Sequence, residues 1–392
     1  MKNFITLCGL AVAPSCFALT PLGEHLDIQF TYDRTGDLWT CKARTTETGV
    51  DVLSDFRDVY LPLSDKLYNP PTPANSGARI PQPASPAYAF TGIEPGEPLW
   101  LAVQNTPGIG EAWPGFQNGQ NSATFGQYVE TDTRLPQPQN NARPWIKVML
   151  KSYTYQGTGI TPTFSLWTVS NNTPRIWMTT ADGIGSGDFY LYSAGSHAHT
   201  NFGFGAMGIY RVSLAATAYR GPGQTNPTSE SGLHTITFAI GPVARWQATH
   251  FNNTELEDPS ISGLAADPDS DGMENLLEYA FGLDPKSGDQ TPLASGLGLP
   301  VFSTKSEGGS LYQQLDYPRR RAGDLTKPTS YTAEFSDLKS SAWQTATTES
   351  VADFTGDQAS LNPIWEKVSA RRAIPPGQEA AGFGRVRVEQ TE

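Results

Sequence analysis

Five histidines are spread over 392 residues, and two of them stand at His197-Ala198-His199. Side chains two apart on a strand point the same way, so these imidazoles share a face with Asn201, opposite Ala198, Thr200, Phe202 and Phe204. A third, His25, opens a segment with the same alternation. There His25, Asp27, Gln29 and Thr31 form a polar face against Leu26, Ile28, Phe30 and Tyr32. If the two segments meet, three imidazoles and the Asp27 carboxylate make a donor set for a first-row transition metal such as zinc, which takes nitrogen and oxygen ligands tetrahedrally. Asp27 then either completes the shell or orients one imidazole from behind it. Neutral imidazole is the ligand form, so binding is expected to weaken below roughly pH 6. The same spacing also suits polar residues that simply face water, and spacing by itself leaves both readings open. His234 alternates with Ile236, Phe238 and Ile240 and is expected at a core edge, while His250 has no neighbour that suggests a role.

A second donor set is denser. Residues 267–278 read Asp-Pro-Asp-Ser-Asp-Gly-Met-Glu-Asn-Leu-Leu-Glu and fit the twelve-residue EF-hand calcium loop at each diagnostic position. Asp267, Asp269 and Asp271 supply side-chain oxygens and Gly272 permits the sharp turn. Met273 offers its carbonyl, Asn275 takes the position often bridged by water, and Glu278 closes the shell with both oxygens. A helix over 274–281 is expected to bury Leu276, Leu277 and Ala280 while returning Glu278 over the ion. Asp and Gly also favour plain turns, but without a cation four carboxylates would crowd one loop. With a single loop, the reading is a structural calcium site and not a sensor.

These groups need a scaffold. The chain is rich in Gly, Pro, Thr, Ser and aromatic residues and poor in charge, which favours short strands and many turns. Strands are expected over 24–32, 37–44, 98–103, 145–153, 163–169, 175–179, 189–192, 210–216 and 234–240, as one large β-sandwich. A Pro-rich stretch (69–86) and a Gly/Asn/Gln-rich one (117–141) read as long surface loops. The fold class is thus mainly β: a sandwich over 19–244, a short helical EF-hand-like calcium junction over 245–290, then a small C-terminal β-sandwich over 291–392. In that last part a Gly/Ser/Thr-rich spacer follows Pro285 and precedes strands at 311–317, 331–335 and 384–389.

Acidic residues outnumber basic ones, 39 to 27, for a net charge of −12, which disfavours nucleic acid and anionic lipid as partners and favours metal cations. The one basic cluster, Arg319-Arg320-Arg321, reads as a solvated strand end. Lys2 followed by an apolar run over 4–13 and small residues up to Ala18 has the pattern of a signal peptide over 1–18, so export to the cell surface, the medium or the periplasm is expected. Acylation at Cys16 is the alternative, against which Pro14 counts. With Cys8 and Cys16 in that segment, Cys41 is left without an internal disulfide partner. It shares a strand face with Trp39 and Ala43 and is read as a buried, inert thiol. No transmembrane helix, internal repeat or sorting motif is expected.

Three blocks also resemble a known family. They are Glu24-His25-Leu26-Asp27-Ile28; Leu99 to Gln104 running on to Trp113-Pro114-Gly115-Phe116; and Gly195-Ser196-His197-Ala198-His199-Thr200-Asn201-Phe202 with Gly208-Ile209-Tyr210. Together, over about 22–218, they resemble the choice-of-anchor M, or surface-anchored, domain of bacterial exported proteins. The resemblance implies a secreted or surface-tethered β protein without enzymatic activity, and one site formed by His25, His197 and His199. Asn201-Phe202 stands where that family more usually carries a Trp. Residues 246–285, with Glu278-Tyr279-Ala280 and Gly282-Leu283-Asp284-Pro285, are similar to a calcium junction of verrucomicrobial and planctomycete exported proteins that links a passenger to a C-terminal β domain.

No Gly-x-Ser-x-Gly elbow, phosphate-cradling loop or His-Glu-x-x-His pattern is present, so the chain is read as a non-enzyme that binds calcium and a transition metal. Trp113, Phe116 and Tyr128, if exposed in loops, would instead suit stacking on sugars, which keeps a carbohydrate- or polymer-binding surface module as the alternative; the same rings also serve as core anchors. A metal-dependent hydrolase is the third reading. Beyond metal ions, a cell-surface polymer or another surface protein is the expected partner.

Overall fold

The structure is a computed structural model and describes residues 18–390 except 48–49, 71, 73–75, 121, 136–140, 322–328, 338–341 and 377–381. The expected signal up to residue 17, with Cys8 and Cys16, lies outside the described residues. Strands account for 48% of the chain and helices for 12%, so the protein is mainly β. Up to Ile240 the strands form three sheets. The largest runs Thr20–Pro21, Val59–Leu63, His234–Ile240, Gly208–Gly221, Trp145–Gln156, Phe189–Ser193, with Thr225–Pro227 attached to Gly208–Gly221. The second runs Thr173–Thr179, Phe164–Ser170, Asn201–Phe204, Pro98–Ala102, Arg79–Pro81. The third runs His197–His199, Ala112–Gln117, Glu24–Asp33, Leu38–Glu47, Val50–Ser54.

One core draws on all three sheets. Leu26, Ile28 and Phe30 meet Val148, Tyr210 and Phe238 of the first sheet and Phe164, Leu166 and Phe202 of the second. This is the sandwich packing that period-two alternation demands, because each strand has one apolar face to bury. Cys41 is buried in that core, where burial pushes its thiol pKa far up. Phe116 and Tyr128, read as loop aromatics, are buried in the same core. Trp113 lies on the strand Ala112–Gln117, so only this ring of the three is open to solvent in part, and the other two take the core-anchor role, the commoner use of such rings.

After Ile240 the alternation ends because the chain turns helical. Helices Gly241–His250, Asn253–Leu256 and Pro259–Ser262 pack Ala244, Trp246, Phe251 and Leu256 against Tyr60, Ile209 and Ala239. Asn252 and Glu255 form a reciprocal capping box at the second helix. The helix Asn275–Phe281 buries Asn275, Glu278, Tyr279, Ala280 and Phe281, and leaves the expected core residues Leu276 and Leu277 half-buried.

The segment beyond Pro285 is not a free spacer. Asp284 N donates to Thr291 O, Leu293 N to Gly282 O and Gly298 N to Phe281 O, folding it back on the helix. The C-terminal strands make a sheet ordered Val301–Glu307, Ser310–Arg320, Trp365–Ile374, Thr348–Ala352 and a second ordered Gln344–Thr345, Thr329–Asp337, Gly382–Gln390. Leu315, Phe335, Val368 and Ala370 fill the space between them together with Ala280, Phe281 and Leu283.

The arginine triplet departs from the expected solvated strand end. Arg320 is 8% exposed, its guanidinium 3.9 Å from the Tyr279 ring and 4.4 Å from the Trp365 ring, with Nε donating to the Tyr279 carbonyl at 2.9 Å. Arg319 pairs with Glu349 and Glu366, and Arg321 with Asp353. Arg320→Ala is expected to cost about 2 kcal/mol or more in chemical denaturation, with little rescue by Lys, whose ammonium lacks the planar fork.

Candidate metal centre

Register brings the histidines together. Strand Glu24–Asp33 runs parallel to Ala112–Gln117, pairing His25 with Trp113 and Asp27 with Gly115; His197–His199 runs antiparallel on the other side, pairing His197 with Gln117 and His199 with Gly115. All of these odd-numbered residues share one face of the sheet. Asp27, Gly115 and His199 therefore lie in one row, and the side chains on either side of Gly115 converge over it. A Cβ there would lie 3.0 Å from Asp27 Oδ1 and 3.1 Å from His199 Cε1. Only glycine leaves that space open.

One ligand atom from each of His25, Asp27, His197 and His199 falls within 4.8 Å of the others. Nε2 of His197 is 2.9 Å from Asp27 Oδ1 and 3.4 Å from His25 Nε2, which in turn is 4.0 Å from Asp27 Oδ1. Metal–ligand bonds of about 2.0–2.1 Å in a tetrahedron separate the donors by about 3.3 Å, so the shorter spacings fit such a shell. Trp113 stacks on His199, centroids 4.1 Å apart and planes 17° from parallel, and meets His25 edge-on at 5.4 Å.

The polar face expected on the first strand is only partly solvated, because Asp27 is fully buried. Its Oδ2 accepts from Arg44 Nη1 at 2.8 Å, whereas Oδ1, aimed at the imidazoles, has the 2.9 Å contact to His197 Nε2 but no well-formed hydrogen bond; neither ring nitrogen of His199 has a well-formed one either. Buried polar atoms left this way each cost roughly 1–3 kcal/mol, which marks a place for a further partner. Burial, then the neighbouring imidazoles His197 and His25, drive the His199 pKa down to about 4, against the pull of the Pro114 carbonyl and Asp27. Burial likewise lowers the His25 pKa, with Asp27 opposing and His197 and Arg44 assisting.

Asn201 does not join the cluster. The chain changes sheet at Thr200, and Asn201 Oδ1 accepts from Gln104 N at 2.8 Å in the second sheet. His234 lies at the core edge, its ring edge-on to Phe30 at 5.6 Å, and His250 packs at a tilt against Trp246 with Nδ1 2.8 Å from the Trp246 carbonyl. Arg44 and Gly115 carry no local signal as site residues; their parts follow from the pairing of strands far apart in sequence.

In the acidic loop, Gly272 takes φ +88° and Ser270 φ +63°, curling the backbone inward. Asp267, Asp269 and Asp271 bring carboxylate oxygens within 4.8 Å of one another. One oxygen of each is held by a backbone amide: Asp267 Oδ2 by Gly272, Asp269 Oδ1 by Asp271, Asp271 Oδ1 by Met273. The other oxygens, and both of Glu278, are buried without a partner. Glu278 is fully buried, and desolvation followed by the charges of Asp269, Asp271 and Asp267 pushes its pKa up to about 8. These donors fit an oxygen-seeking cation such as calcium. Asn275 is turned toward the preceding loop, its Nδ2 donating to the Ile261 and Gly263 carbonyls, which leaves Oδ1 as its unpaired atom. The Met273 side chain packs against the C-terminal core.

Neither a family model nor a curated protein matches the chain. Among the described residues no helix is long and apolar enough to cross a membrane.

Proposed function

We propose that this protein is a non-catalytic metal-binding protein of the cell exterior, holding a transition metal between His25, His197, His199 and Asp27 and a structural calcium ion in the loop 267–278. The observation that carries the first half is the convergence of three imidazoles on a fully buried carboxylate whose inward oxygen faces them without a well-formed hydrogen bond. Four protein donors fill a tetrahedral shell without a position for water, which supports a holding role over catalysis. The second half rests on the clustered oxygens of Asp267, Asp269 and Asp271 and on the fully buried Glu278, both of its oxygens unpaired and its ionisation opposed by the charges of those aspartates. The likeness to the choice-of-anchor M domain and the leader-like N-terminus agree with an exported setting, where millimolar-range calcium sites of this kind are used. The sugar-binding alternative has lost Phe116 and Tyr128 to the core.

Zinc titrated into calcium-saturated protein is expected to bind at one site of high affinity. Because burial holds His25 and His199 neutral below the ordinary imidazole pKa, protons compete late, and half of the affinity should survive to below about pH 6.5. The stability of the metal-free protein declines in the same direction. Its unfolded chain takes up protons through about pH 6.5 while folded His199 does so only near 4, so stability falls as pH drops between these values. Calorimetric titration from pH 8 to 5 checks the first statement and thermal melts over the same range the second; a binding midpoint above pH 7 would contradict the assignment.

A further inference from the structure

We propose that Arg44 sets the coordination number, and through it the metal class, of the histidine centre: by occupying Oδ2 of Asp27 it leaves one carboxylate oxygen for the ion, so the site takes zinc(II), cobalt(II) or copper(II) and refuses magnesium, calcium and manganese. This rests on the metal reading above and concerns a residue outside the donor set. Arg44 stands directly opposite Asp27 on the neighbouring strand. Its Nη1 donates to Asp27 Oδ2 at 2.8 Å and to Gln117 Oε1 at 2.7 Å, and its Nη2 to Asp51 Oδ1 at 2.6 Å. Bonds on two arms fix the guanidinium plane, and a guanidinium stays charged at any pH the fold survives.

Two consequences follow for an incoming ion. Hard cations gather six or more oxygens and commonly take a carboxylate through both of its own. Asp27 is fully buried and has one oxygen committed to Arg44, so it cannot serve them that way. The Arg44 charge also offsets that of Asp27, with Asp51 beyond it on the exposed side. Asp51 offsets Arg44 in turn, so discrimination among divalent ions must come from the three imidazoles, which bind first-row metals in the order that favours copper and zinc over manganese.

Cobalt(II) is the probe, added to the full chain with calcium kept saturating so that the acidic loop is filled. The expected result is the intense visible absorption of four-coordinate cobalt, displaced by zinc and untouched by excess magnesium or manganese. Arg44→Met releases Oδ2. The bands should weaken as coordination rises, and the preference for zinc over manganese should fall by about 10–100-fold, the range for loss of an outer-shell partner. Arg44→Lys should fall in between. Adding Asp27→Asn to Arg44→Met, which again offers one carbonyl oxygen and leaves no unpaired buried charge, should restore the intense spectrum. Cobalt bound stoichiometrically with the weak absorption of a six-coordinate ion would overturn the role of Arg44 while sparing the metal site; no cobalt binding at all would remove both. Bands and preference unchanged in Arg44→Met and Arg44→Lys would overturn the proposal as well.

Discussion

Zinc uptake by calcium-saturated protein is expected to be lost when His197 and His199 are both replaced by Ala. The two imidazoles supply half of the donor set, so the loss should exceed the roughly 10–100-fold that follows removal of an outer-shell partner. The fold should hold. His197 has a side chain 42% exposed, and the strand that carries both residues is a three-residue edge strand whose ladder to Ala112–Gln117 is backbone. Asp27→Ala is a poorer test. It strands the partly buried Arg44 guanidinium and deletes a fully buried acceptor, which costs on the order of 3 kcal/mol whether or not a metal binds. Titration calorimetry on the double variant, with a thermal melt beside it, separates the cases. Zinc bound as tightly as by the parent chain would place the site elsewhere.

Chelating calcium should open the junction before the large sheets. An ion with no site in the unfolded loop would stabilise the ordered one by mass action, about 4 kcal/mol at a thousand times its Kd. Without it, Glu278 resists ionisation up to about pH 8, its buried carboxylate crowded by three aspartates. A raised carboxyl pKa means that the calcium-free fold is favoured below the ordinary glutamate range and progressively penalised as pH rises toward 8. At pH 7.5, limited proteolysis of chelated protein should cut within 263–298 while the sheets before Ile240 stay intact. Asp271→Ala should give the same pattern in the presence of calcium. Equal resistance with and without chelator would dispose of the calcium site.

Much of this was legible in sequence because alternation is a direct record of a two-faced sheet. The strands at Glu24–Asp33, Trp145–Gln156 and His234–Ile240 announce themselves that way. So does the acidic loop, whose donors are contiguous. The strands that escape notice lack the signal. Val59–Leu63 is buried on both faces and reads as a continuous apolar run, and Thr348–Ala352 is exposed throughout. Partners far apart in sequence are the other blind spot. The parallel pairing of Glu24–Asp33 with Ala112–Gln117 is what puts Gly115 beneath the imidazoles and Trp113 against His199. The charge pattern misled at Arg320, because a guanidinium between two aromatic rings looks in sequence like any basic strand end.

The helix Asn275–Phe281 is only seven residues long, yet its neighbouring side chains belong to different interiors. Tyr279 is packed with Trp246 and Phe251, whereas Ala280 and Phe281 are packed with Phe335 and Val368. A connection built this way has no swivel. A pull on the C-terminal strands loads the helix in shear, through Arg320 clasping Tyr279 and through the Tyr331 hydroxyl bonded to the Ala280 carbonyl, instead of straightening a slack tether. Mechanical resistance at that seam then depends on the loop that begins at Asp267, so a calcium ion held there would sit at the point where tension on one end of the chain is passed to the other.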